Sequence, residues 1–174
     1  MVPHPVRSAC HHPAMTSGDL DPAAQRALAV RLFNRTWELM EDPERDDTGD
    51  REALMTAMAS RLHWAGVGTD ENLAAGDWLV AHVASRLGHA GLALDFAAAA
   101  HERVSTSSEE LPTWLVASTL EGLARAHATA GHDDERDAFA ADARRVLEAV
   151  DDDEDREIVE SQLATIPGLS PGET

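Results

Sequence analysis

The sequence predicts an all-α domain of stacked antiparallel helical hairpins, with about six to seven helices. The tetrapeptide Trp-Leu-Val-Ala occurs twice, at residues 78–81 and 114–117, and each copy is followed by a Gly-His pair, at 88–89 and 131–132. A recurrence of about 36 residues is typical of helix-turn-helix units, because one hairpin cannot bury its apolar faces alone. Hydrophobic residues make up 43% of the chain, and much of that content is alanine, the best helix former.

Capping residues and helix-breaking residues predict the bounds of the first two helices. Asp21-Pro22 supplies an N-cap and a first-turn proline, and helix 1 runs from there to about residue 40. Asp42-Pro43 ends it, and an acidic loop extends to about residue 50. Helix 2, about 50–66, has apolar residues on most sides, which is typical of a helix packed between others. One of its apolar faces contains Leu54, Met55, Met58, Leu62 and Ala65, and the other contains Ala53, Ala57, Ser60 and Trp64.

The remaining helices form the two hairpins that carry the repeat, and a last helix comes after them. A cap at Thr69 starts the third helix, and Ser107 or Ser108 is the predicted cap of the fifth. The predicted ranges are 70–88 with 90–104, 109–130 with 133–149, and 152–165. Residues 1–18 have no apolar periodicity and are predicted to be a disordered tail. Residues 19–167 then form a single domain, and residues 168–174 are expected to fray.

Charge excludes several classes of function. The chain has 32 acidic and 14 basic residues and a net charge of −18. Nucleic acid and anionic membrane surfaces are therefore excluded as partners, because both require a basic face. All basic residues are arginine, so neither a Schiff-base lysine nor a phosphate-loop lysine exists. The chain has no apolar membrane span and no signal core, which predicts a cytoplasmic protein.

Helix 3 carries the first candidate site. Trp78, His82 and Arg86 recur every four residues and so lie on one stripe, opposite the apolar residues of the helix. An aromatic ring, an imidazole and a guanidinium on a non-core face are suited to bind a carboxylate. The alternative is that the tryptophan packs on the next hairpin while the other two are solvated. Helix 5 repeats the construction with Trp114, Ser118 and Arg125. Its i, i+4 pair of Glu121 and Arg125 contributes only a few tenths of a kcal/mol.

Helix 2 carries the second candidate, in which Met55, Met58 and His63 precede Trp64. Thioether and imidazole ligands suit Cu(I), but methionine at helical spacing more often fills a core. His63 also lies at the edge of the methionine face. We therefore expect no bound metal and no cofactor. Of the motifs for hydrolase, zinc-protease or phosphate-loop chemistry, none is present.

Several strings resemble a family of small helical, tetratricopeptide-like proteins from high-GC actinobacteria. They are Asn-Arg-Thr-Trp-Glu-Leu at 34–39, Ala-Ser-Arg-Leu-His-Trp at 59–64, Asn-Leu-Ala-Ala-Gly-Asp-Trp at 72–78, Glu-Gly-Leu-Ala-Arg-Ala-His at 121–127 and Leu-Ala-Thr-Ile-Pro at 163–167. In that family helix 2 has the pattern His-x-x-His-Ala-Ser-x-x-His-Trp, whereas here Met55 and Met58 replace the first two histidines. The resemblance implies a shared pocket of unknown purpose made of Asn34, Trp37, His63, Trp64, Asn72 and Trp78.

Three functions are compatible with these patterns. The leading interpretation is a non-catalytic helical-repeat module that binds a partner protein or a small molecule beside Trp78, His82 and Arg86. The first alternative is a small enzyme of specialised metabolism with a pocket between helices 1, 2 and 3. His63 would be its acid/base group. The second alternative is a metal-handling protein that uses the methionine pair. An apolar helix face not used in these ways would serve a homodimer.

Overall fold

A computed structural model describes residues 21–169 and confirms the all-α prediction. This part of the chain contains seven helices and no strand, and none of these helices is long and apolar enough to cross a membrane. The predicted tail at 1–18 lies outside the described residues, as do residues 170–174. The helices are α1 (Pro22–Glu41), α2 (Asp47–Val67), α3 (Asp70–Arg86), α4 (Ala90–Thr106), α5 (Thr113–Ala130), α6 (Asp133–Leu147) and α7 (Asp153–Ala164).

The helices pack as three hairpins and a final single helix. Consecutive helices pair as α1 with α2, α3 with α4 and α5 with α6, and α7 packs mainly on α5. The odd-numbered helices contact one another in series, whereas α2, α4 and α6 do not touch each other. The odd-numbered helices therefore form an inner layer. Because α3 and α5 lie in its middle, every residue from Gly76 to Ser85 is buried, and so is every residue from Ala117 to Ala126.

The turn glycines of the repeat end α3 and α5 in the same way. Gly88 and Gly131 have φ angles of 76° and 75°, in the left-handed region that glycine adopts without strain. The histidine after each glycine donates its backbone N–H to a carbonyl of the preceding helix, from His89 to Ala84 and from His132 to His127, both at 2.9 Å. This is a Schellman-type helix end. The Gly-His pairs are therefore structural turns.

Two helix starts match the predicted caps, and two differ. Asp21 accepts from the backbone N–H of Ala24, and Thr69 forms a reciprocal capping box, both as predicted. Helix α2 starts earlier than expected because Asp46 caps it. Helix α5 starts later, at Thr113, because Pro112 is extended with ψ of 137° and also disfavours helix in the residue before it. The predicted start of helix 5 at about residue 109 is therefore wrong.

Of the two predicted apolar faces of α2, the one with the alanines is buried and the one with the methionines is largely exposed. Met55 is 70% exposed, Leu62 66% and Met58 36%, whereas Ala53, Ala57 and Ser60 are buried. Small side chains let α2 approach α1 closely, and the Ser60 hydroxyl donates to the carbonyl of Ala29 at 2.8 Å. Because α2 belongs to the outer layer and to the first hairpin, the side of α2 that carries the exposed residues packs on no other helix within residues 21–169.

The last described residues belong to the folded domain. Ile166 is buried, and Leu169 packs against the cluster that α5, α6 and α7 form. Gly168 has a φ of 73° and lies against the Arg136 guanidinium, where a Cβ atom would be 2.5 Å from Nη1. Gly168 and Leu169, which were expected to fray, are thus packed against the helices.

Candidate ligand-binding cavity

The predicted stripe on α3 is divided between core and surface. Trp78 is 6% exposed and His82 is 3% exposed, whereas Arg86 is exposed. The prediction of a shared non-core face is therefore wrong for Trp78 and His82. The reason is that α3 contacts α1, α2, α4 and α5, so its middle has no free side.

Trp37 of α1 packs on both of these buried rings. Its ring centroid lies 5.9 Å from that of Trp78 and 5.3 Å from that of His82, and Trp78 and His82 are 5.7 Å apart. All three pairs are tilted, which is a favourable arrangement of ring quadrupoles. The structure thus brings together Trp37 and Trp78, two residues that the family resemblance placed in one pocket.

His82 is a neutral ring in this cluster. Its Nδ1 atom has no hydrogen-bond partner among the described residues. Burial holds the pKa of His82 well below its usual range, and the positive charges of Arg125 and Arg86 lower it further. At neutral pH the imidazole therefore supplies no charge for a carboxylate ligand, and only Arg86 of the predicted stripe remains cationic.

A buried ion pair lies beneath Trp78. Glu121 is 0% and Arg125 2% exposed, and their side chains are 2.7 Å apart. The Trp78 indole Nε1–H donates to the other oxygen of Glu121, at 3.2 Å. Arg125 also donates to the carbonyl of Gln162 at 2.6 Å and to the hydroxyl of Thr165 at 2.8 Å. The i, i+4 spacing alone predicted a contribution of only a few tenths of a kcal/mol, whereas the pair joins α3, α5 and the end of α7.

Gly122 makes room for this arrangement. A Cβ atom at that position would lie 2.8 Å from Cδ1 of Trp78, so the indole packs directly on the α5 backbone. A glycine in the middle of a helix costs roughly 0.5–1 kcal/mol relative to alanine. The sequence analysis missed this contact, and a glycine in the middle of a helix is the signal that could have indicated it.

A cavity of about 520 Å³ lies between the four helices of the inner layer. This volume falls within the range of roughly 300–1,000 Å³ that is typical of small-molecule sites. Three of the four tryptophans of the chain line it. Ile158, which is 48% exposed, lies in its wall, so the cavity opens to solvent along α7. The lining residues are Phe33, Trp37, Glu41, Trp78, Trp114, Ser118, Asp155, Ile158, Val159, Ser161 and Gln162.

The cavity lies between α1 and α7, the two ends of the inner layer. Helix α7 packs on α5 and α6 but makes no contact with α1 or α3. The space between α1 and α7 is therefore covered only by side chains that reach across it. Among them is Trp114 of the second Trp-Leu-Val-Ala copy, which is half-buried. Trp114 and the α7 residues were absent from the predicted site, because helix periodicity does not reveal which helices face each other.

The other predicted site residues lie outside this cavity. Asn34 is exposed on α1, and His63 and Trp64 are half-buried on α2. Asn72 has a structural role, because its backbone and side chain form the capping box with Thr69. Helix α2 contributes no lining residue, so the cavity differs from the predicted pocket between helices 1, 2 and 3.

The described residues contain no cluster of three or more His, Cys, Asp or Glu side chains that would suit a metal ion. The methionine pair of α2 faces solvent. Cys10, His11 and His12 lie outside the described residues. One imidazole pair does occur, because Nδ1 of His127 and Nδ1 of His132 are 3.3 Å apart, but the described chain adds no third ligand.

The lining combines aromatic rings with carboxylates and hydroxyls. Two carboxylates, Glu41 and Asp155, line the cavity, and no basic side chain is among the lining residues. Ser118 and Ser161 are the lining hydroxyls, but no imidazole stands beside them to act as a base. Activation of a serine requires such a partner within hydrogen-bond reach. The aromatic rings supply a large, rigid and mainly apolar surface instead.

Comparison of the chain with protein-family models, with curated proteins and with solved structures finds no match. The interpretation of the cavity therefore depends on its own geometry.

Proposed function

We propose that this protein is a non-catalytic helical-repeat module that binds a small molecule in the cavity between α1, α3, α5 and α7. The observation that carries the proposal is the convergence of Trp37, Trp78 and Trp114 on one space of about 520 Å³. Aromatic side chains on such a space are typical of ligand sites, where they provide contact area at low entropic cost. A location in the cytoplasm is part of the proposal.

Two of the three tryptophans of the cavity are held by contacts with the core, which supports a preformed site. Trp78 is fixed by its hydrogen bond to Glu121, and Trp37 packs on Trp78 and His82. Glu121 is in turn held by Arg125, which is anchored to α7 through Gln162 and Thr165. A ligand would therefore meet ordered rings, and rigid walls reduce the cost of ordering on binding.

Binding of a neutral fluorescent probe, N-phenyl-1-naphthylamine, tests the proposal. We expect saturable binding that is roughly tenfold weaker in Ser161→Phe, because the added ring occupies space at the cavity wall. Fluorescence titration measures the affinity. Ser105→Phe is the matched control, since both serines are exposed on a helix and donate their hydroxyl to a carbonyl of that helix, Ser161 to Ile158 and Ser105 to His101.

Two results would contradict the proposal. One is the absence of saturable binding of small-molecule probes to the unchanged protein. The other is equal weakening by Ser161→Phe and Ser105→Phe, which would place the probe elsewhere. The enzyme alternative with His63 and the metal alternative with the methionine pair gain no support from the site, because neither group lines the cavity.

A further inference from the structure

The aromatic walls of the cavity are arranged to contact a positive charge. A cation is attracted to the face of an aromatic ring, and tryptophan gives the strongest attraction of the natural side chains. Trp37 and Trp78 are 5.9 Å apart with planes inclined at 38°, and Trp114 lines the same cavity from α5. Rings from three different helices therefore border one space.

A hydrogen bond to a buried ion pair orients Trp78 at the cavity wall. The indole N–H donates to the carboxylate of Glu121, which is fully buried. Arg125 neutralises Glu121 and is also bound to Gln162 and Thr165, and neither Glu121 nor Arg125 is among the lining residues.

Two unpaired carboxylates add negative charge to the same cavity. Glu41 ends α1 and Asp155 lies in the first turn of α7, and neither forms an ion pair with a described residue. Most arginines between residues 21 and 169 already have acidic partners. Arg45, which lies just after α1, is paired with Asp50 and donates to the carbonyls of Leu39 and Met40. The charge of Glu41 and Asp155 is therefore available to a ligand.

From this combination we infer that the ligand is an alkylated organic cation, such as a quaternary ammonium compound. Its methyl groups would contact the tryptophan faces, and its charge would be balanced by Glu41 and Asp155. A primary ammonium fits less well, because it is strongly hydrated and the aromatic walls cannot replace its water. The inference rests on the proposed function and names the ligand class of the same cavity.

The test compares choline with 3,3-dimethylbutan-1-ol, its uncharged carbon isostere, by calorimetric titration of the full chain at physiological salt. We expect choline to bind about tenfold more tightly, because the two molecules share a shape and differ in charge. Glu41→Gln combined with Asp155→Asn should remove most of that preference. Trp114→Leu should weaken choline binding more than binding of the isostere.

A matched control separates local from overall charge. Glu102→Gln combined with Asp95→Asn also removes two acidic charges, from exposed positions on α4 that do not line the cavity. These substitutions should leave choline binding unchanged. An equal loss in both double variants would overturn the inference, because the preference would then come from the net charge.

The outcomes also distinguish this inference from the proposed function. Equal affinity for choline and its isostere, or binding of N-phenyl-1-naphthylamine without binding of choline, would refute the cation and leave the cavity as a ligand site. Failure of all three probes to bind would refute both.

Discussion

The two copies of Trp-Leu-Val-Ala place the same side chain in different surroundings. In α3, Trp78 is 6% exposed and donates a hydrogen bond to Glu121. In α5, Trp114 is half-buried, makes no hydrogen bond with a described residue and lines the cavity. The first tryptophan thus belongs to the core and the second mainly to the site.

The difference comes from the helices that are stacked after each copy. Beyond α3 lies a complete hairpin, α5 with α6, and α5 packs directly on Trp78. Beyond α5 lies α7 alone, which does not reach α1 or α3. A repeated sequence therefore specifies a helix, while its position in the stack decides whether the same ring fills a core or borders a cavity.

The largest expected effect concerns the charges beneath Trp78. Arg125→Met should destabilise the protein by about 3–5 kcal/mol, because it leaves the buried carboxylate of Glu121 without its counter-charge. Urea unfolding measures the loss. The control is Arg35→Met, whose guanidinium is 44% exposed and pairs with Glu38 and Glu52. That change should have little effect on stability, because exposed ion pairs contribute little. Similar losses for both variants would show that the buried pair contributes no more to stability than the exposed one.

Substitution of each tryptophan directly tests whether the first copy belongs to the core and the second to the site. Trp78→Phe removes the hydrogen bond to a buried carboxylate and leaves a void, so we expect a loss of about 2–4 kcal/mol. Trp114→Phe should cost under about 1.5 kcal/mol, because that ring borders open space. Urea midpoints of the two variants measure the difference. If Trp114→Phe were the more destabilising change, the assignment of core and site to the two copies would be reversed.

A smaller effect is expected at Gly122, on which Trp78 packs. Gly122→Ala should cost about 1–3 kcal/mol, because the new methyl group would lie 2.8 Å from the indole. Gly91→Ala is the control, since nothing lies within 4 Å of a Cβ atom there. It should be neutral or stabilising by up to about 1 kcal/mol, as alanine favours helix. Thermal unfolding of both variants distinguishes crowding from helix propensity, and stabilisation by Gly122→Ala would exclude the close contact.

Local sequence signals predicted the hairpins but not the site. Local interactions within a few residues include caps such as Asp21 and Thr69 and the turn glycines. They can therefore be predicted from the sequence directly. The apolar arc of α2 was too wide to show which side is buried. Close packing on α1 buries Ala53 and Ala57 and leaves Met55 exposed. The burial of Glu121 and the cavity depend on which helices become neighbours. Periodicity within one helix contains no such information.

The smallest expected effect is on the pH dependence of stability. It distinguishes equivalent positions of the two copies, His82 in α3 and Ser118 in α5. Only His82 titrates, and its pKa in the folded protein is well below 6.5 because burial and then Arg125 and Arg86 disfavour the charged form. The unfolded chain binds the proton first as pH falls. The contribution of His82 is therefore fully present above about pH 6.5 and is lost as pH falls towards its folded pKa.

Unfolding free energies of the unchanged protein and of His82→Gln should therefore converge on acidification. Between about pH 6.5 and 5.5 the unfolding free energy of the unchanged protein should fall by about 1 kcal/mol more than that of the variant. This is the change expected when unfolding is coupled to the uptake of one proton. Burial also lowers the pKa values of His101 and His127, and these contributions cancel because both proteins contain them. His82→Gln removes one titrating group without adding a charge, so urea melts at several pH values measure the difference. Identical pH slopes would mean that the imidazole is solvated, and that the Trp37–Trp78–His82 cluster opens in solution.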